Sequence, residues 1–151
     1  TYLGYCEAYD VADFYSGEKE DKSAMKVYGD ELVMLCPCDE LGLSSLRFLD
    51  LSDHPDAPEL SETWVLPDGR YADFEVTADA VYTVGFDNNR YVSTLGRFTA
   101  DAYLSVSFDG RATGVAVIGD DIVVSDADVG IRRFKYTDGE IAPVETDGEG
   151  K

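Results

Sequence analysis

The sequence predicts an all-β protein in which short antiparallel strands follow one another as a meander. β-branched and aromatic residues gather in short runs, and Gly-Asp, Asp-Gly and Asn-Asn turns separate these runs. No window of ten or more residues keeps a convincing helical period. Ten tyrosines suit this fold class, because a half-buried strand gives their rings an apolar side and their hydroxyls a wet one.

The strands are predicted from residue 24 onward, each ended by residues that favour turns. The first strand ends at Gly29-Asp30, and the last strand follows Asp138-Gly139. The best helical candidate is the stretch 7–15, although its Tyr, Val and Phe residues are weak helix formers. The predicted strands are 24–28, 31–36, 45–51, 60–66, 72–77, 80–86, 90–95, 102–108, 113–118, 121–125, 130–136 and 141–145.

One short pattern occurs three times along the chain. An apolar pair precedes a small residue and an Asp, and an apolar run follows, at 27–33, 76–82 and 117–123. The offsets are 49 and 41 residues, and repeats of about 40–50 residues with four strands each are typical of propeller blades. No Pro/Gly/Ser-rich linker interrupts the interior, so the sequence predicts one domain, 1–151, with repeats at 24–70, 71–112 and 113–146.

Two further segments add to this pattern. Residues 45–53 read Ser-Leu-Arg-Phe-Leu-Asp-Leu-Ser-Asp before Pro55, and residues 130–136 read Gly-Ile-Arg-Arg-Phe-Lys-Tyr. These segments resemble the LVIVD-type repeat of bacterial and archaeal β-propellers, in which a Gly-Leu-Arg-like start leads to an apolar strand, an Asp-x-Ser turn and a Pro. The similarity covers Ala24 to about Glu145, and the second repeat departs from it at 91–97.

The resemblance implies one four-stranded sheet per repeat and a role as an interaction or surface protein, but no particular activity. Three blades do not close a propeller, which usually has roughly four to eight, so the chain is expected to be a piece of a longer protein or to assemble as copies. The alternative folds are a single closed lipocalin-like barrel and a β-sandwich.

The chain is strongly acidic, with 31 Asp and Glu against 12 Lys and Arg and a formal net charge of −19. A surface this negative repels phosphate, so neither nucleic acid nor an anionic membrane is an expected partner. No run has the apolar length of a membrane span. The acidity is explained by adaptation to high salt, by calcium binding through Asp-rich turns, or by the number of turns for which Asp is suited.

Asp126 and Asp128 are the candidate metal ligands. In the segment 126–130 they supply the alternating carboxylates that open a calcium loop, and calcium is the one cofactor the sequence suggests. Position 137 is Thr, so the twelve-residue loop of a helical calcium hand is absent. The alternative is a solvated acidic turn. No catalytic or organic cofactor-binding residue is predicted.

The remaining candidates for chemistry have structural explanations. Cys36 and Cys38 form Cys-x-Cys rather than Cys-x-x-Cys, and they are expected to be buried or bridged once to Cys6. His54 is expected in an exposed turn, and Gly119-Asp120-Asp121 is expected as a hairpin turn. An odd number of cysteines does not fix the compartment, and an extracellular or periplasmic one is slightly favoured.

The function predicted from these features is a non-enzymatic, propeller-like interaction module whose acidic loops bind a protein partner or calcium, with self-assembly as one form of partnership. The first alternative is a small-ligand-binding β-barrel with a Tyr-rich interior. The second is a fragment of a glycoside-acting enzyme, which two converging carboxylates in an aromatic-walled pocket would indicate.

A calcium site predicts a specific thermal response. If Asp126 and Asp128 hold calcium, micromolar to millimolar CaCl₂ raises the melting temperature while equal NaCl does not, because the ion binds the folded state alone. Thermal melting across both salts measures this. Stabilisation at molar salt with either cation contradicts the calcium site and indicates adaptation to brine.

Overall fold

A computed structural model describes residues 24–36, 44–52, 59–67 and 70–144. These residues form twelve strands in three four-stranded antiparallel sheets. No helix in the described ranges is long and apolar enough to cross a membrane, and the helical candidate at 7–15 lies outside them. The strands are β1 (Ala24–Tyr28), β2 (Glu31–Cys36), β3 (Ser45–Asp50), β4 (Glu59–Val65), β5 (Asp73–Val76), β6 (Val81–Asp87), β7 (Val92–Phe98), β8 (Tyr103–Asp109), β9 (Ala112–Ile118), β10 (Asp121–Asp126), β11 (Gly130–Thr137) and β12 (Glu140–Pro143).

The predicted all-β meander is confirmed. Each sheet consists of four consecutive strands, in the orders β1-β2-β3-β4, β5-β6-β7-β8 and β12-β11-β10-β9. The largest difference from the predicted strand ends is in β7, which the sequence places at 90–95. The strand begins at Val92 instead, because the preceding turn extends through Tyr91, whose φ is +55°.

The alternative of a single closed barrel is wrong. A barrel requires a hydrogen-bonded ladder between its first and last strands, and the described strands pair only within their own sheets. A sandwich of the whole chain would have two sheets, whereas these strands form three. The strands therefore form separate blade-like sheets, at 24–65, 73–109 and 112–143.

The chain divides into two compact units, Thr1–Tyr71 and Ala72–Lys151. The prediction of one domain over 1–151 stays a prediction. The first unit contains the sheet β1–β4, with Met34, Cys36 and Leu49 in one buried cluster. The Phe48 and Trp64 rings lie 4.5 Å apart on β3 and β4.

In the second unit, the sheets β5–β8 and β9–β12 pack face to face. Side chains of β6, β9 and β10, with one residue each from β7, β11 and β12, supply the apolar layer between them. Val84, Leu95 and Val124 are completely buried there. The cluster consists of Ala80, Tyr82, Val84, Leu95, Ala112, Val115, Ile122, Val124, Phe134 and Ile141.

The threefold sequence pattern lies at the first hairpin of each sheet. Gly29-Asp30 and Gly119-Asp120 connect β1 to β2 and β9 to β10, and both glycines have φ of +62°, as the first position of a type II′ turn requires. Between β5 and β6, the Thr77 hydroxyl accepts hydrogen bonds from the N–H groups of Asp79 and Ala80, at 3.2 and 3.1 Å. The repeat therefore marks the same position in each sheet, with two turns of one type and a longer turn in the second sheet.

Gly110, between β8 and β9, is a position that only glycine fits. Its φ is +149°, and a Cβ there overlaps the Asp126 carboxylate and lies 3.0 Å from Nη2 of Arg132. Gly119 provides a matched comparison, because it also has positive φ but no atom within 4 Å of an added Cβ.

We expect Gly110→Ala to lower the free energy of unfolding by more than about 3 kcal/mol, since strain and overlap add at this position. Gly119→Ala is expected to lower it by about 1 kcal/mol, the cost of strain without overlap. Urea unfolding followed by circular dichroism measures both. Equal losses would contradict the close approach of Asp126 to Gly110.

Candidate functional site

The predicted metal ligand Asp126 ends β10 as a buried carboxylate engaged by protein donors. Its Oδ1 accepts hydrogen bonds from the N–H groups of Arg111 and Asp128, at 3.1 and 2.8 Å. Its Oδ2 accepts one from Nε of Arg132 at 2.5 Å, and Nη2 of Arg132 also donates to the carbonyl of Asp109 at 2.6 Å. The carboxylate therefore joins the end of β8, the start of β9 and strand β11.

These donors determine the protonation of Asp126. Burial acts to raise its pKa, but the hydrogen bonds from Arg132 and from the N–H groups of Asp128 and Arg111 outweigh burial, so the pKa lies below its ordinary value of 3.8. The Asp126 side chain has no exposed surface, and that of Arg132 is 30% exposed. The pair is charged at neutral pH and is screened by solvent only from the arginine side.

Asp128 lies two residues further along the same turn and faces a different partner. Its Oδ2 accepts a hydrogen bond from the Tyr91 hydroxyl at 2.6 Å, and this bond raises the pKa of Tyr91. Among the described residues no three His, Cys, Asp or Glu side chains form a group that could hold a metal ion. Calcium at Asp126 and Asp128 stays a prediction.

The other sequence candidates separate into described and undescribed residues. Cys36 is 5% exposed in β2, while Cys6, Cys38 and His54 lie outside the described residues. In Gly119-Asp120-Asp121, the first two residues form the turn, and Asp121 begins β10.

The surface of the third sheet that faces away from the packed core is open to solvent. The strand registers place its side chains in three rows across the sheet. The first row contains Ile118, Asp121, Lys135 and Ala142; the second contains Ala116, Val123 and Arg133; and the third contains Gly114, Ser125 and Ile131. We call these ten residues the open face.

Apolar side chains on the open face are far more exposed than those on the packed face of the same sheet. Ile118 and Ile131 are 66% and 61% exposed, whereas Ile122 and Phe134, on the packed face of the same strands, are 1% and 3% exposed. Burying such isoleucines contributes about 1.5 to 3 kcal/mol each, so their exposure in a folded unit is a cost that a partner surface would remove.

The charged residues of the open face are paired with each other. Asp121 accepts hydrogen bonds from Nζ of Lys135 at 2.9 Å and from Nη2 of Arg133 at 3.0 Å. The hydrogen bonds from Lys135 and Arg133 lower the pKa of Asp121. The face therefore carries two cations and one anion in a chain with a net charge of −19.

Comparisons with known proteins add little to this geometry. No family model and no curated protein matches the chain. A solved structure from S. cerevisiae, described as dbp5 bound to nup159, gle1, ip6 and adp with variants of dbp5 and gle1, matches at a TM-score of 0.45 and 15% identity. The match covers 84% of this chain and 37% of that chain. A resemblance this remote bears on neither fold nor function.

Sequence reasoning missed the open face and the partners of Asp126. The alternating residues 131, 133 and 135 belong to a segment that the sequence predicts as a strand. Alternation alone does not show which side of the strand meets the core when both sides carry large residues. One signal was available: three of the basic residues of this acidic chain fall at 132, 133 and 135, which indicates that β11 has charged partners.

Asp126→Asn is expected to lower the free energy of unfolding by about 1 to 2 kcal/mol at pH 7, because it removes the charge that Arg132 contacts while keeping the side chain's shape. The pKa of Asp126 is lowered by folding, so its contribution is complete above pH 3.8 and is lost as the pH falls through the lower folded value. The difference between wild type and variant therefore shrinks in acid, as urea unfolding from about pH 7 to pH 2 measures.

Asp128→Asn is the control from the same turn. It keeps an acceptor for Tyr91, so we expect a change within about 0.5 kcal/mol. A constant difference between wild type and Asp126→Asn at every pH would contradict a charged Asp126 in the folded state.

Proposed function

We propose that this chain is a non-enzymatic, propeller-like interaction module, related in architecture to the LVIVD-type repeat proteins, and that its open face is where a partner's β-sheet packs. The observation that carries the proposal is the contrast between the two faces of the third sheet. One face is covered by β5–β8, and the other leaves Ile118 and Ile131 more than 60% exposed.

The packing inside the second unit supports a sheet as the partner. There, the sheet β5–β8 covers one face of β9–β12 with alternating apolar side chains, and all three sheets consist of four consecutive antiparallel strands. The sheet β9–β12 is therefore suited to pack against another sheet of the same shape through its open face. Fold repetition thus favours a blade-like partner over an extended peptide or a helix.

Charge supports a second copy of the chain as that partner. Two chains of net charge −19 repel each other over most of their surfaces, and the repulsion falls as salt shortens the Debye length. The open face has no excess of negative charge, because Lys135 and Arg133 offset Asp121. It is therefore a place where two copies meet with little repulsion, and their association should increase with salt.

Light scattering coupled to size exclusion tests the proposal. We expect the mass to rise from 16.5 kDa toward at least twice that value as NaCl increases from about 0.05 to 1 M. Ile131→Asp should weaken this association by at least about tenfold, because it places a charge in an apolar contact. Ile118→Asp, in another row of the face, should act in the same direction.

Val129→Asp is the matched control, since Val129 is also 61% exposed but lies in the turn between β10 and β11, outside the open face. It should leave association unchanged within about twofold. A monomer at every salt concentration would refute assembly through this face, and equal effects of the Val129 and Ile131 variants would refute the specific contact.

A further inference from the structure

A second feature of the same unit is a pocket of about 500 Å³ between its two sheets, at the end where the first hairpins turn. Its volume lies within the range of roughly 300 to 1,000 Å³ that small-molecule sites occupy. Val117 and Ile122 give it apolar walls, and Tyr82, Arg97 and Tyr136 give it aromatic and cationic ones. The pocket shares Lys135 with the open face, but neither Ile118 nor Ile131 lines it.

Arg97 is held in this pocket by aromatic residues. Its Nε donates a hydrogen bond to the Tyr82 hydroxyl at 3.1 Å, and its guanidinium carbon lies 3.7 Å from the centroid of the Tyr136 ring. A guanidinium stacked on a ring and bonded through Nε is fixed in orientation, with both Nη groups left as a planar pair of donors. The side chain is therefore pre-organised to bind a planar oxyanion in two-pronged fashion.

The Nη groups of Arg97 have no partner in the described part of the chain. Arg90, Arg132 and Arg133 each form an ion pair with an aspartate, but no described carboxylate lies within 4.0 Å of Arg97. Arg111 likewise forms no ion pair among the described residues, but it lies over the Phe86 ring and does not line the pocket. The Nη groups are therefore available to bind an anion that enters the pocket.

The turns at the pocket limit the kind of anion that fits. Asp79 and Asp120 line the pocket, and their carboxylates make no hydrogen bond or ion pair with other described residues. Lys135 also lines the pocket, but its Nζ is paired with Asp121 at 2.9 Å. The two carboxylates therefore disfavour a doubly charged phosphate and attract an ammonium group. A stacked sugar is also disfavoured, because one face of the Tyr136 ring is already covered by Arg97.

We propose that the pocket binds a small zwitterion, with its carboxylate on Arg97 and its ammonium group toward Asp79 and Asp120, an α-amino acid with a cationic side chain being the simplest ligand of this class. L-lysine is a suitable probe, since it has one carboxylate, two amines and a net positive charge. Its aliphatic stem suits the Val117 and Ile122 walls.

Calorimetric titration of the full chain with L-lysine tests the assignment. We expect saturable binding below about 10 mM, weakened at least tenfold by Arg97→Gln and several-fold by Asp79→Asn. Cadaverine, which lacks the carboxylate, and hexanoate, which lacks both amines, should each bind at least tenfold more weakly than L-lysine to the unchanged protein. These ligand comparisons need no variant, so they test the site even if Arg97→Gln does not fold.

Arg90→Gln is the matched control, because the Arg90 side chain is 76% exposed and does not line the pocket. It should bind L-lysine within about twofold of the unchanged protein. Absence of binding, equal binding of cadaverine, equal weakening by Arg90→Gln, or tighter binding of inorganic phosphate or an oligosaccharide would each overturn the zwitterion site. None of these outcomes depends on the mass of the assembly, so this inference and the proposed function fail separately.

Discussion

The chain passes from the second sheet to the third through Gly110 and Arg111, and the Asp126 carboxylate holds this passage in place. It accepts hydrogen bonds from the N–H of Arg111 and from Nε of Arg132, whose Nη2 reaches back to the carbonyl of Asp109. The buried Ser93 hydroxyl adds a second connection, donating to the carbonyl of Gly110 and accepting from the N–H of Ala112. With these bonds the backbone polar groups of a buried corner are satisfied, as burial requires.

This corner fixes how the two sheets of the second unit face each other. Asp73, at the start of β5, makes a related contact, because its Oδ2 accepts a hydrogen bond from the N–H of Val115 at 3.0 Å on β9. That bond lies next to the irregularity where Thr113 is inserted into the register of β9 against β10. One face of the third sheet therefore packs in the core, and the side chains that alternate with the packed ones lie on the open face.

The basic residues of the second unit illustrate how an acidic chain uses its few cations. Arg132 supports the buried corner, while Arg133 and Lys135 compensate Asp121 on the open face. Arg97 is supported by tyrosines instead of a carboxylate. Ion pairs at the exposed positions contribute little stability in water, so their main effect on the open face is to reduce its negative charge. Arg97 thereby places a cation in the pocket, and Arg133 and Lys135 place two on the open face.

Local sequence determined the strands and their hairpins, because turn chemistry and the period of two act between neighbours along the chain. The tetrapeptide Thr-Ala-Asp-Ala demonstrates this: it occurs at 77–80 and at 99–102, and in both copies the threonine hydroxyl accepts the N–H groups of the third and fourth residues. Asp138-Gly139, predicted as a turn, adopts the two positive φ angles of a type I′ hairpin.

Tertiary structure decided the rest, since those features join residues far apart in sequence. The sequence identified Asp126 as a candidate metal ligand. Its role in joining β8, β9 and β11 depends on Arg111 and Arg132, which approach it from other parts of the chain. The pocket combines Tyr82, Arg97 and Tyr136 from β6, β7 and β11, whose convergence depends on two sheets packing face to face. Which face of β11 is buried is also decided by distant residues. Both sides of this strand carry side chains that could be buried, and only its packing against the other sheet determined which side was.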